Sequence, residues 1–229
     1  MVIEYPSITH LDLTEQTYRF LKDRILKREI NPGEKISVEE IARGLRVSRT
    51  PVVNALKILE SDGLVEIIPR RGTFVTHLNT RDVAELFEIR LIIELHAADQ
   101  IFREGKINLF LDAIERPMSQ MQGAISEGAY VDYDAFISGD RDMHMNLVRF
   151  LNNRRLVLIY SDLNVHMQVA RAHYLDTVEN ALQAQREHEA MLSAIKAKDL
   201  NALKKALTDH ITNVRGRILT MLEERGGKL

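Results

Sequence analysis

The chain has 229 residues, 45% of them hydrophobic and 28% charged, with a formal net charge of −2. That length allows two ordinary domains, and that balance supports a buried core while excluding a disordered chain and a generic polyanion binder. Cysteine is absent, which removes disulfides and thiolate metal sites and suits a reducing compartment. The opening Met-Val-Ile-Glu-Tyr-Pro lacks the basic and apolar segments of a secretory signal, and no apolar run nears the ~18 residues of a membrane span. A cytoplasmic protein that does not enter the membrane is expected.

From Leu11 to Lys27, Tyr18, Leu21 and Ile25 recur at helical spacing, and Asn31-Pro32-Gly33 ends that run. Ser37-Val-Glu-Glu40 reads as a capping box opening a short helix that closes near Gly44. Ser48 is an N-cap candidate for the next helix, with Pro51 in its first turn, where a missing N–H costs nothing. Val52, Ala55, Leu56 and Leu59 give that helix a packed face, and Gly63 supplies its stop. The β-prone runs from Leu64 to Ile68 and Thr73 to Thr76 flank Pro-Arg-Arg-Gly, a hairpin tipped by Arg70 and Arg71.

Two short helices, a tight turn and a basic β-ribbon form a winged helix-turn-helix, the geometry that lays a helix N-terminus in a DNA major groove. Arg43, Arg46, Arg49 and Lys57 fall in a stretch without acids, and counterion release rewards such a local patch whatever the net charge. The stretch resembles the GntR family of bacterial transcription regulators. Pro32-Gly33-Glu34-Lys35-Ile36-Ser37, Val47-Ser48-Arg49-Thr50-Pro51-Val52, Gly63-Leu64-Val65 and Arg71-Gly72-Thr73-Phe74-Val75 carry that likeness. The resemblance implies that Arg49, Thr50 and the turn around them reach bases and phosphates while the wing tip enters the minor groove. Candidate DNA contacts are therefore Arg43, Arg46, Ser48, Arg49, Thr50, Pro51 and Lys57, with Arg70, Arg71 and Gly72 on the wing. Val53 and Asn54 stand where the family usually has Arg-Glu, and Glu39 where it often has Arg, so an unusual operator is expected.

The DNA-binding domain is expected over residues 8–78 and a second domain over 79–225. In the second, helical periodicity dominates, and helices are predicted at 80–103, 107–125, 131–150, 153–174, 177–198 and 199–224. An antiparallel all-α bundle follows, making the whole chain mainly α. Three of these helices carry polar residues within an inward stripe. Asp140 and His144 fall in the row Ile137, Asp140, His144, Leu147, Leu151. His188 shares a face with Ala181, Ala184, Leu192 and Ile195, and His210 lies in the row Leu203, Leu207, His210, Val214, Ile218.

Burying one carboxylate and three imidazoles without partners would cost several kcal/mol, so they must pair, bind water or hold a cation. One divalent transition metal per chain, Zn²⁺, Ni²⁺, Mn²⁺ or Fe²⁺, suits that donor set and could leave positions open for a ligand oxygen. His10, His77, His96, His166 and His173 show no comparable convergence. This half also resembles the FCD ligand-binding domain of the FadR subgroup. Arg90 to Glu94, Asp140 to His144, Glu187-His188 and His210-Ile211 carry that likeness. The resemblance implies that Asp140, His144, His188 and His210 ligate a metal that helps bind a small carboxylate. Arg90 is a candidate for that carboxylate, since guanidinium pairs with it bidentately; an ion pair with a nearby Glu is the plain alternative.

The expected function is a homodimeric regulator of the repressor kind that reads a double-stranded operator and responds to an organic or sugar acid. A metal-dependent hydrolase or lyase with an appended DNA-binding domain is the rival. It needs a general base beside the open position, and no further carboxylate shares the periodicity. Glu187 adjoins His188, but consecutive helix residues point about 100° apart. An ion that is purely structural is a third reading.

Overall fold

Capped apolar rows build both halves of the chain. The structure, a computed structural model, describes residues 13–27, 29–77, 79–175 and 177–224, without the side chains of 164, 165, 168, 169 and 171–174. The expected domain start at residue 8, His10, Leu11, the His173 side chain and the last expected residue, 225, lie outside that description. The chain divides into two compact units, Met1–Thr76 and His77–Leu229.

In the first unit, α1 (Leu13–Leu26) buries Thr17, Leu21 and Ile25 and packs on α3 (Arg49–Ser61). The Tyr18 hydroxyl donates to Asp62 Oδ2 at 2.6 Å, tying α1 to the end of α3. Between them, α2 (Val38–Leu45) starts at Ser37, whose hydroxyl accepts from the Glu40 N–H at 3.3 Å. Helix α2 closes next to Gly44, as expected. The helix runs on to Leu45, and Arg46 takes the left-handed conformation, φ 56°, while the Val47 N–H bonds Ala42 O. Gly63, φ 71°, follows the end of α3 as expected of a stop residue.

The wing is β2 (Val65–Ile68) and β3 (Gly72–Val75), paired antiparallel with Val65 opposite Val75 and Ile68 opposite Gly72. A third strand, β1 (Lys35–Ile36), joins the other edge of β3, giving the order β1-β3-β2. Two residues cannot display strand alternation, so β1 has no sequence signature.

The second unit is helical: α4 (Thr80–Arg103), α5 (Ile107–Gly123), α6 (Tyr133–Arg149), α7 (Arg154–Tyr174), α8 (Val178–Lys196) and α9 (Leu200–Glu224). Asn79 and Asp82 form a complete capping box at α4, and Asp132 and Thr177 cap α6 and α8. A miniature hairpin, β4 (Ile125–Ser126) and β5 (Ala129–Tyr130), interrupts the helices where none was expected. Its turn, Glu127-Gly128, has φ of 52° and 74°, the paired positive values of a type I′ connection.

Helix α4 packs on α9 and α7, α5 on α6 and α8, and α8 on α9. The α5–α6 contact is close: a Cβ on Gly139 would lie 2.9 Å from Pro117 O. Pro117 sits inside α5 and has no N–H for the carbonyl four residues back. Asn146 of α6 supplies the missing donor, Nδ2 to Ala113 O at 2.9 Å. Among the described residues, no helix is long and apolar enough to cross a membrane.

Candidate functional site

The DNA-reading elements present their cations outward. Arg43, Arg46, Ser48, Arg49, Thr50 and Lys57 are exposed on α2, α3 and the turn between them. Ser48 has extended backbone at the N-cap of α3, but its hydroxyl makes no cap hydrogen bond. The first N–H groups of α3 therefore remain available to an anion, as at other helix N-termini that bind phosphate. Pro51, unlike the other candidate contacts on α3, is buried, and its ring packs into the helix start and core.

Arg70 and Arg71 are exposed at the wing tip, with Arg70 left-handed at φ 65° and the Arg71 N–H bonding Ile68 O. Gly72, φ 121°, is partly covered: a Cβ there would meet Lys35 Cε at 2.7 Å. Lys35 thus adds a cation beside the wing that the charge pattern did not single out. Glu39 is not a bystander. Its carboxylate pairs with Arg49 Nη2 at 3.2 Å, in an exposed contact worth at most about 1 kcal/mol.

The second constellation lies inside the helical unit. Asp140 and His144 from α6, His188 from α8 and His210 from α9 each offer a ligand atom within 4.8 Å of the others. Their exposures are 4, 0, 0 and 1%. Asp140 Oδ1 lies 3.4 Å from His188 Nε2 and 4.0 Å from His144 Nε2. The His144 and His210 rings stack with centroids 5.1 Å apart, and His188 sits 4.6 Å from His210.

Two carboxylates behind the rings set their tautomers. His144 Nδ1 donates to Glu94 Oε2 at 2.8 Å, and His210 Nδ1 donates to Glu187 Oε2 at 2.8 Å. Each Nε2 is left carrying its lone pair toward the cluster, the outer-sphere arrangement common around metal-ligating histidines. Glu94 also accepts from Arg90 Nε and the Tyr160 hydroxyl, both at 2.6 Å. Glu187 accepts from both terminal nitrogens of Arg217 and from Asn213 Nδ2, each at 3.0 Å. His188 differs: it is fully buried, and neither ring nitrogen has a hydrogen-bond partner. An orphaned imidazole facing a carboxylate and two inward lone pairs fits a divalent cation with an N₃O donor set.

The electrostatics agree. Burial, reinforced by Arg90 against the pull of Glu94, lowers His144 to about 4. Burial likewise lowers His188 well below its ordinary value, with His210 adding to it, and lowers His210 despite Glu187. All three rings are thus neutral near pH 7, the form that ligates. Burial opposes ionisation of Glu94, but Arg90 and His144 outweigh it and hold the carboxyl far below the usual range. Burial also opposes ionisation of Glu187, yet the His210 and Arg217 hydrogen bonds bring it down to about 2.

Arg90 is only 2% exposed and belongs to this cluster. Besides its bond to Glu94, its Nη2 lies 2.7 Å from His144 Nε2 and 3.4 Å from His210 Nε2. The plain ion pair and the place beside the candidate ligands are therefore both realised, and only the Nη edge is left to meet an anion. The orienting roles of Glu94, Tyr160, Glu187 and Arg217 were not read from the sequence. A signal did exist for Arg217: it follows His210 by seven residues, and Asn213 by three, which puts both on the face of that histidine.

Comparison with known proteins agrees with both halves. The model of bacterial regulatory proteins of the gntR family matches residues 13–75, and that of the FCD domain matches residues 85–213. The gluconate operon transcriptional repressor of Bacillus licheniformis is 28% identical over 203 residues, covering 86% of this chain and 82% of that protein. A solved GntR structure from Rhodococcus sp. RHA1 has the same fold, with a TM-score of 0.71 at 21% identity over 90% of this chain and 97% of that one. The Zn²⁺-bound FCD domain of TM0439 matches with a TM-score of 0.52 at 16% identity, over 63% of this chain and 96% of that one. The chain belongs to the GntR family, with an FCD domain behind its winged helix-turn-helix, and is a DNA-binding transcriptional regulator, not an enzyme.

Proposed function

We propose that this regulator is a cytoplasmic repressor whose operator binding responds to a small organic or sugar acid at a metal centre formed by Asp140, His144, His188 and His210. The observation that carries this reading is the buried N₃O cluster with two Nε2 lone pairs aimed inward and His188 unpartnered. A bound divalent ion would supply an open coordination position for a carboxylate oxygen. The chain's own part is to present neutral imidazoles, hold their tautomers through Glu94 and Glu187, and offer the Arg90 Nη edge to the acid's carboxylate. The name of the Bacillus licheniformis relative, a gluconate operon repressor, and the Zn²⁺-bound FCD domain support the acid and the ion respectively.

A homodimer would place two recognition helices on a pseudo-palindromic operator. Exposed apolar residues on the helical unit, Ile89 and Ile92 one turn apart on α4 and Leu158 and Ile159 on α7, support self-association there. Arg49, Thr50 and the wing arginines then contact the duplex. Effector and DNA must influence each other reciprocally, and a coupling of ~1–3 kcal/mol changes occupancy at least severalfold.

The test titrates DNA from upstream of the protein's own gene at several salt concentrations, with wild type and Arg49→Ala, with and without Zn²⁺ and gluconate. Sequence-selective, salt-dependent binding that Arg49→Ala weakens and the acid shifts is the expected result. Unchanged affinity in Arg49→Ala would discard the recognition-helix assignment. The near-complete burial of the quartet favours a second reading, in which the ion only pins α6, α8 and α9 together. In that case a chelator lowers the melting temperature and leaves the acid response intact.

A further inference from the structure

We infer that Arg90 is a tethered competitor for the metal, holding the imidazole lone pairs that a divalent ion must take. The inference rests on the metal reading above and adds a rule for how that site is occupied. His144 gives its Nδ1 proton to Glu94, so Nε2 has one lone pair, and Arg90 Nη2 lies on it at 2.7 Å. His210 gives its Nδ1 proton to Glu187, and the same Nη2 lies 3.4 Å from its Nε2. A neutral imidazole lone pair accepts one N–H or binds one ion, not both.

The guanidinium cannot yield by losing its proton. An incoming ion must therefore push Nη2 off His144. The Nε bond to Glu94, 2.6 Å, keeps the displaced group beside the cluster. Its released N–H groups then face the ion's neighbourhood, where a carboxylate can take them. Metal and carboxylate each favour the displaced Arg90, so each strengthens binding of the other.

Arg90→Lys keeps the positive charge and the pairing with Glu94 but withdraws the fork from His144; Arg90→Met removes the charge as well. The full-length protein is stripped with a chelator, checked for helicity by circular dichroism, and titrated with Zn²⁺ against a competing chromophoric chelator. Both variants should bind Zn²⁺ at least about tenfold more tightly than wild type, the factor expected from deleting one charge-assisted hydrogen bond to the ligand. Equal or weaker binding by folded Arg90→Lys overturns the inference, and tightening in Arg90→Met alone would assign the effect to charge instead. Failure of wild type and both variants to bind Zn²⁺ overturns the metal reading itself.

Wild type provides a measurement free of folding defects. By NMR, the Arg90 Nη protons should be protected from solvent exchange in chelator and lose that protection when Zn²⁺ binds. Retained protection at saturating Zn²⁺ refutes displacement.

Discussion

His188→Leu should stabilise the protein in the presence of a chelator and destabilise it, relative to wild type, in the presence of Zn²⁺. His188 is 0% exposed, and neither of its ring nitrogens makes a hydrogen bond. Asp140 Oδ1 lies 3.4 Å from Nε2 without making a hydrogen bond to it. Leaving a buried polar group unsatisfied costs about 1–3 kcal/mol, and leucine fills the space without that cost. At roughly 2–4 °C per kcal/mol for a chain of this size, the variant should melt about 2–12 °C higher in chelator. Zn²⁺ reverses the order. At a free concentration of about 1,000 times its dissociation constant, the ion stabilises wild type by about 4.1 kcal/mol, more than the gain from leucine, and a three-ligand site gains far less. Differential scanning calorimetry under both conditions reads the crossover. A variant less stable than wild type in chelator would mean that His188 is well partnered, and the main argument for a cation at this place would fall.

The outer carboxylate of α8 gives a second test: Glu187→Gln keeps the shape but not the charge behind His210, and should weaken Zn²⁺ binding about 10–100-fold in chelator competition while leaving operator contacts alone. Asn146→Ala should cost about 1–2 kcal/mol in urea denaturation, because Ala113 O loses its donor; in a Pro117→Ala background the cost should shrink, since the backbone N–H regained at 117 serves that carbonyl. Acid should destabilise the chelated protein early. The folded-state values of His144, His188 and His210 are lowered, so between pH 6.5 and about 4 the unfolded chain takes up protons that the folded chain refuses, and stability falls as pH falls. For His144 alone the loss reaches about 3 kcal/mol, and Glu94 and Glu187, whose values are also lowered, remove more as pH falls below the ordinary carboxylate range. Urea midpoints that stay flat from pH 7 to 5 would show that the rings are not buried neutral.

The parts of the fold that were legible in the sequence are those written in local periodicity or punctuation. Helix α4 occupies Thr80–Arg103 as predicted, since Asn79 and Asp82 mark its start and an apolar row marks its length. The wing strands lie on either side of Pro-Arg-Arg-Gly because β-branched runs and a turn leave few alternatives. What escaped is too short to be periodic. Strand β1 and the β4–β5 hairpin are two-residue segments defined by the partners they meet. The end of α2 was legible to within a residue of Gly44, but not the left-handed exit at Arg46.

The site divides along the same line. Asp140, His144, His188 and His210 could be picked out because each interrupts an apolar row, and a row identifies the face that turns inward. Periodicity says which way a side chain points from its own helix, but not which neighbour it meets. Glu187 points about 100° away from His188, which argued against a shared role on α8. In the bundle that direction leads to α9, where His210, Asn213 and Arg217 converge on the carboxylate. Arg90 shows the same limit more sharply. The sequence allows it an ion pair with a nearby Glu, realised by Glu94, but only the placement of α6 and α9 brings His144 and His210 to its other edge. The ligands are properties of single helices. The control over them lies in pairs of helices, and it is there that changes in sequence should retune the response without touching a ligand.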